Sequence, residues 1–346
     1  MTDLCALLGI RHPIVLAPFG GLSSVALTTA VSAAGGLGSY GLYGYDADRI
    51  CTTAAALRGS GPYALNIWLP TGDEVIPGPE HDTYAAALAD FFAEVGIEPP
   101  ARPERYLPPL DEQLDAIWEA APAVLSVVFG VPSAGIVEEA HRRGIRVLGT
   151  ATTVAEAVAL EAGGVDAVVA TGAEAAGHRV SFLKPAEASL VGLVSLVPQV
   201  ADAVSIPVIA AGGIGDRRGV AAAFALGASG VQVGTSFLAT AESAANDAHR
   251  AAIRSTSADG SVLTRAMSGR LARGARNRAV TAIEESGAIA PFPAQNWLTG
   301  RFRAVAGKRG LGELQSLWLG QSAPLARWDA AAEVFAELLA GVPAVD

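Results

Sequence analysis

Short apolar runs, each closed by small or polar residues and followed by a helical stretch, recur along the chain. Eight can be picked out, at 14–17, 37–40, 63–69, 124–129, 146–149, 167–170, 207–211 and 230–233. A strand buried on both faces reads as such a run rather than as an alternation of apolar and polar residues. Between the runs lie helical patterns at 23–34, 134–143, 154–162 and 217–226, and a glycine follows each of them. Ser23-Ser24 and Thr152-Thr153 stand where side-chain oxygens cap the first turns, and glycine past a helix end adopts the left-handed turn that stops it. Strand and helix in alternation with short connections specify a parallel sheet, and eight such units close it. The predicted fold is α/β, a (β/α)8 TIM barrel.

Two segments break the repeat. Residues 70–122 are too long for one helix and two loops; eight prolines follow Pro70, and helical patterns appear at 84–95 and 110–121. This excursion is expected over the barrel mouth, where it would serve as a lid. Residues 255–346 carry helical patterns at 311–319 and 330–339 and are expected beside the barrel and across its C-terminal face. The predicted organisation is a barrel over 1–254 with a C-terminal extension over 255–346.

Composition narrows the class. The chain has 346 residues, 51% hydrophobic and 17% charged, with a net charge of −10. A large core is easy to build, and an acidic chain is a poor partner for nucleic acid. The densest basic stretch, 265–278, has five arginines and no acidic residue, but it is interspersed with Ser, Gly and Asn, which points to a local structural or interface role. Two cysteines, Cys5 and Cys51, make no disulfide framework. The first residues lack the pattern of a secretory signal, and every apolar stretch is interrupted by Gly, Pro or a charge before it could span a bilayer. A reduced, cytoplasmic protein is expected, without a membrane partner.

Candidate chemistry lies at the C-terminal ends of the strands, where such barrels place their sites. P-V-I-A-A-G-G-I-G at 207–215 and G-V-Q-V-G-T-S-F at 230–237 put glycines after strands seven and eight. Gly212, Gly213 and Gly234 let backbone N–H groups approach an anion, and Thr235 adds a hydroxyl. Either turn alone could be a plain tight turn; both together match the usual phosphate site. FMN, a sugar phosphate and a nucleotide all fit it. The loop after strand six carries His178 among small residues, as a general base or as a group that fixes the loop. His12 precedes strand one, His81 lies in the excursion, and His141 and His249 are expected on solvated helix faces. No metal-ligand spacing occurs.

Several motifs in order resemble the nitronate monooxygenase family: A-P-F-G-G at 17–21, N-I at 66–67, V-V-F-G-V-P at 127–132, E-A-A-G-H at 174–178, A-A-G-G-I-G at 210–215 and V-Q-V-G-T-S-F at 231–237. Downstream, S-G-R at 268–270, A-R at 272–273, R-N at 276–277 and L-W-L-G-Q at 317–321 continue the resemblance over nearly the whole chain. It implies non-covalent FMN, a nitronate or nitroalkane substrate, and O₂ as oxidant. By position, Ala17, Pro18, Phe19 and Gly20 would line the flavin ring, and Asn66 would bind its polar edge. Gly212, Gly213, Gly234 and Thr235 would hold the phosphate with Gln232 beside them, Thr171, Ala176 and Gly177 would complete the cofactor wall, and His178 would be the catalytic base. Four positions depart from the family pattern: Phe19 stands where Met is common, Ala176 and Val180 where glycine is usual, and Thr171 where many members carry Gln. The same motifs resemble FMN-containing enoyl-ACP reductases, which implies an alternative, an NAD(P)H-dependent flavin reductase acting on an activated alkene. A phosphate-ligand binding protein without chemistry is a third possibility, and a homodimer is a further expectation.

Overall fold

The computed structural model describes residues 3–344 except 73, 75–77 and 79. Eight parallel strands form one sheet: β1 (Ile14–Leu16), β2 (Gly38–Gly41), β3 (Tyr63–Trp68), β4 (Val124–Val128), β5 (Arg146–Ala151), β6 (Ala167–Thr171), β7 (Val208–Ala211) and β8 (Gly230–Val233). Consecutive strands pair from β2 to β8, and β8 pairs back onto β1. The last seam is thin. A single parallel bridge, Val15 to Leu37, joins β1 to β2, with Leu16 N–H donating to Leu37 O at 2.9 Å and Leu37 N–H to Ile14 O at 3.0 Å. The expected strands are all present, with ends shifted by one or two residues.

Successive side chains in a strand point to opposite faces, so each barrel strand feeds two different cores. Ile14, Leu16, Leu65, Ile67, Leu125, Val127, Val168, Ala170, Val208, Ala210, Val231 and Val233 face the helices. The residues between them, Val15, Ala64, Val124, Leu148, Ala167, Val169 and Ile209, fill the interior, and Leu4 and Leu8 of the N-terminal helix plug its lower end. This division explains why the strands read as continuous apolar runs.

Side-chain caps set the helix starts. Ser24 accepts from Leu27 N–H ahead of Val25–Ala34, and Thr153 accepts from Glu156 N–H ahead of Val154–Ala162. At the other ends, Gly144, Gly164 and Gly227 take positive φ, as predicted for glycine past a helix.

The excursion divides in two. Its second helix, Leu110–Ala120, belongs to the outer ring and packs with Ala47–Leu57 around the main core. The pattern at 84–95 resolves into two helices, Glu80–Ala87 and Ala89–Glu94, separated at Leu88. These pack on the C-terminal extension rather than on the barrel. Phe91 and Phe92 meet Phe302 with ring centroids 5.3 and 5.7 Å apart, in a core that includes Met267, Val280, Ile283 and Leu298. The expected helix at 311–319 is absent: one 3-10 turn, Gly312–Leu314, leads into extended chain. The extension's principal helix is Ala294–Lys308 instead. Phe302 on that helix is fully buried. Phe302→Ala is therefore expected to destabilise the protein by about 3–5 kcal/mol, read as a shift of the urea midpoint at unchanged slope.

Candidate active site

The strand parity that fills the barrel interior with apolar residues delivers polar ones at its upper end. Asn66, Ser126, Thr150, Thr171 and Gln232 continue the inward-facing series of β3, β4, β5, β6 and β8. Asn66 is 3% exposed and donates from Nδ2 to Ser126 O at 3.2 Å and Ser126 Oγ at 3.1 Å. Its Oδ1 thereby remains an acceptor toward the space above.

That space is a cavity of about 720 Å³, within the range of cofactor sites, roughly 300–1,000 Å³. Ala17, Pro18, Phe19, Gly20, Asn66, Thr171, Ala176, Gly177, His178, Gly212, Gly213, Gln232, Gly234 and Thr235 all line it. The fold therefore brings every sequence-predicted site residue to one chamber. Among the described residues, none of 70–122 lines it. The excursion touches the rim only indirectly, where Arg270 pairs with Glu74 at 3.0 Å and reaches Thr71 at 2.6 Å.

One end of the chamber is built for an anion. Gly212 and Gly213 take φ of 100° and 70°, which L side chains rarely adopt. The N–H groups of Gly213, Gly234 and Thr235 have no acceptor among the described residues. Thr235 Oγ1 accepts from Gly320 N–H at 3.1 Å, leaving its own proton to donate. Gly320, in the L-W-L-G-Q segment, crosses close behind. A Cβ there would lie 2.7 Å from Glu174 O and 3.2 Å from Ala176 N, so only glycine fits. Converging free donors at such a turn suit a phosphate.

His178 stands on the neighbouring loop. Gly177–His178 pairs antiparallel with Ala272–Ala275, which pairs with Ser261–Thr264, so a three-stranded sheet clamps the loop. His178 Nε2 lies 2.7 Å from Ser268 Oγ. The same oxygen lies 3.1 Å from Arg270 O and accepts from Arg270 N–H at 3.3 Å. One arrangement satisfies all three contacts. The serine proton goes to Arg270 O, the imidazole N–H sits on Nε2, and Nδ1 keeps its lone pair with no partner among the described residues. Burial, reinforced by the charges of Arg270 and Arg303, lowers the His178 pKa to about 3. The ring is neutral at ordinary pH.

Aromatic side chains surround the histidine. Trp68 meets it edge-on at 4.9 Å, and Trp318 lies 5.5 Å away. Tyr43, Phe129 and Phe292 close on Trp68 at 4.4, 4.8 and 5.8 Å. One departure from the family pattern fits here: Val180 packs with Val128, Phe129 and Trp68, making this wall more apolar. The far wall comes from the extension, where Asn296, Gly300, Arg303 and Gly307 of one helix line the cavity. Tyr43 OH accepts from Asn296 Nδ2 at 2.9 Å.

Tyr43, Trp68, Asn296 and Arg303 are the site residues that motif reading missed, and Ser268, inside the S-G-R motif, was given no role there. Asn296, Gly300, Arg303 and Gly307 recur at helical spacing with small or polar character, which is the one signal that marked their face in advance. His249 corrects an expectation: it is buried, donates from Nε2 to Trp318 O at 2.9 Å, and lines the cavity. His141 is on a solvated face as expected, beside Asp166. His81 is buried between Tyr106 and Pro100 O, away from the site. The arginine-rich stretch has a structural role: Arg265, Arg270, Arg276 and Arg278 form ion pairs, and Arg273 donates to Ala173 O and Ser261.

A barrel with an anion cradle after β7 and β8 and a shielded histidine on the β6 loop defines a cofactor-dependent enzyme. Residues 1–341 match the sequence profile of the family described as nitronate monooxygenase. The probable nitronate monooxygenase of Staphylococcus aureus strain N315 is 38% identical over 332 residues, covering 93% of this chain and 92% of its own. The chain belongs to the nitronate monooxygenase family and is an oxidoreductase. Among solved structures, nitroalkane oxidase from Streptomyces ansochromogenes superposes with a TM-score of 0.86 at 36% identity, covering 97% of this chain and 96% of the other. FabK from Thermotoga maritima superposes with a TM-score of 0.76 at 30% identity, covering 98% and 95%. No helix of the described residues is long and apolar enough to cross a membrane.

Proposed function

We propose that this enzyme oxidises alkyl nitronates, using FMN and O₂, to a carbonyl compound and nitrite. The observation that carries the reading is the joint position of the anion cradle and His178 on one chamber. Family membership and the likeness to the Streptomyces nitroalkane oxidase support nitronate or nitroalkane oxidation over other uses of a phosphate-binding barrel.

The residues present fit FMN. Gly213, Gly234 and Thr235 offer three unpaired N–H groups and a hydroxyl to the phosphate. The turn at 17–20 would form the floor for the ring, Asn66 would bind its polar edge, and Gln232, Thr171, Ala176 and Gly177, which line the same chamber, would enclose the rest of the cofactor. When bound, the flavin supplies the electron transfer and the reaction with O₂. The protein supplies position and electrostatics. The neutral His178 presents Nδ1 to the substrate's α-carbon, as a base toward a nitroalkane or as an orienting group toward a nitronate. Trp68, Phe292 and Trp318 exclude water from that position.

Purified protein should be yellow and release nitrite from ethylnitronate in air. No nitrite from any nitronate would exclude this function. The FabK likeness favours one other reading, reduction of an activated alkene with NAD(P)H. Anaerobic bleaching of the flavin by NADH or NADPH, faster than by ethylnitronate, would select it.

A further inference from the structure

We propose that Arg303 selects the anionic form of the substrate, its guanidinium receiving the planar oxyanion of a nitronate in the chamber beside His178. The inference rests on the nitronate reading above. It starts from helix Ala294–Lys308, which turns Asn296, Gly300, Arg303 and Gly307 toward the cavity at spacings of three and four, hence on one face. Gly300 leaves the guanidinium uncrowded: a Cβ there would lie 3.6 Å from Arg303 Nη2.

Arg303 has five N–H donors. Nη1 donates to Ser316 Oγ at 2.6 Å, and Nη2 donates to Asn296 Oδ1 at 2.7 Å and Asn296 O at 3.1 Å. Every one of these acceptors is neutral. The Nε atom is buried with no partner, and Nη1 keeps a second proton. Among the described residues no carboxylate pairs with this cation. Among the described residues the one carboxylate on the cavity wall, Glu174, accepts from Leu193 N–H instead. Burial pulls the Arg303 pKa down only to about 10, so the group stays charged at neutral pH.

A shielded charge without a counter-ion is costly. An anion in the chamber removes that cost, and a neutral nitroalkane does not. The spare Nη1 proton, beside the full guanidinium charge, offers a nitronate oxygen a charge-assisted hydrogen bond that the less basic oxygens of a neutral nitroalkane accept more weakly. Asn296 and Ser316 hold the plane, so the guanidinium and its spare Nη1 proton are set before substrate arrives. The same charge adds to burial and Arg270 in holding His178 below the usual imidazole range.

Nitrate has the same planar O–N–O group and needs no turnover, which makes it the probe. Nitrate titrated against the flavin-loaded enzyme should raise Tm in a saturable way. Arg303→Gln should abolish that rise without changing flavin content, and Arg303→Lys should restore it in part. In turnover, Arg303→Gln should raise the KM for ethylnitronate about tenfold or more with kcat within about twofold, a loss of binding rather than of chemistry. The KM for nitroethane, or its inhibition constant where it is not turned over, should not change. Nitrate stabilisation that survives Arg303→Gln, or equal losses with nitronate and nitroethane, would overturn the proposal. If Arg303→Gln does not fold, Asn296→Ala takes its place: weaker nitrate binding supports the proposal, and unchanged binding overturns it. Failure of the wild type to release nitrite would sink the nitronate reading alone, because the nitrate titration still reports on Arg303.

Discussion

Replacing His178 with alanine is expected to lower nitrite release from nitroethane by about 10²–10⁴-fold, the usual weight of a positioned proton acceptor, with flavin content unchanged. The side chain touches the cavity but belongs to the loop clamped by Ala272–Ala275, so its loss leaves the backbone frame in place. With preformed ethylnitronate the loss should be smaller, because no proton has to leave the substrate. Equal losses on both substrates would show that His178 only orients. The pH dependence is a second reading of the same residue. Its folded pKa, about 3, lies below the ordinary 6.5, because burial and two arginines oppose the charged ring. Activity at saturating ethylnitronate should therefore show no break near pH 6.5; a break there would mean that the histidine titrates normally. The linkage runs in the same direction. The unfolded state binds this proton more readily than the folded state. The stability contribution is complete above pH 6.5 and is lost as pH falls from there toward 3.

Gly234→Leu is expected to weaken FMN binding by about a hundredfold or more, ~2.8 kcal/mol or more, while far-UV circular dichroism stays unchanged. Gly234 has a φ of −114°, which any residue adopts, so the substitution does not strain the backbone. Its direction is what matters. A Cβ at this position would lie 3.3 Å from Ala17 Cβ and 3.5 Å from Phe19 Cε1, between the cradle and the turn after β1. Alanine fits with a small adjustment, and the three further carbons of leucine have only the chamber to enter. Gly234→Ala should keep most of its flavin absorbance and Gly234→Leu should lose it. A yellow Gly234→Leu protein would place the phosphate elsewhere.

The barrel was legible because its signals are local. Doubly buried strands give apolar runs, and capping Ser, Thr and Gly residues mark helix ends within a few positions. The cradle was legible for the same reason, since Gly212, Gly213, Gly234 and Thr235 lie directly after two strands. The excursion was read less well. Its composition is that of a loop-rich segment, yet Leu110–Ala120 joins the outer ring and Ala89–Glu94 joins a second core built with residues about two hundred positions later. Nothing in a proline count encodes that partner. The extended chain after Gly312–Leu314 defeated a helical pattern because Asn277 and Thr235 take its backbone groups, at Gln315 O and Gly320 N–H.

The sequence by itself determined the eight-fold repeat, the family, and the residues that face the mouth from the barrel strands, because strand parity and turn chemistry are written within a few residues of one another. Tertiary structure alone decided the opposite wall. Arg303 is distant in sequence from His178, and its missing counter-ion is a property of everything packed around it. So is the state of His178. A histidine in a small-residue loop reads as a base near neutrality, and only burial beside two arginines makes it the weak, neutral group found here.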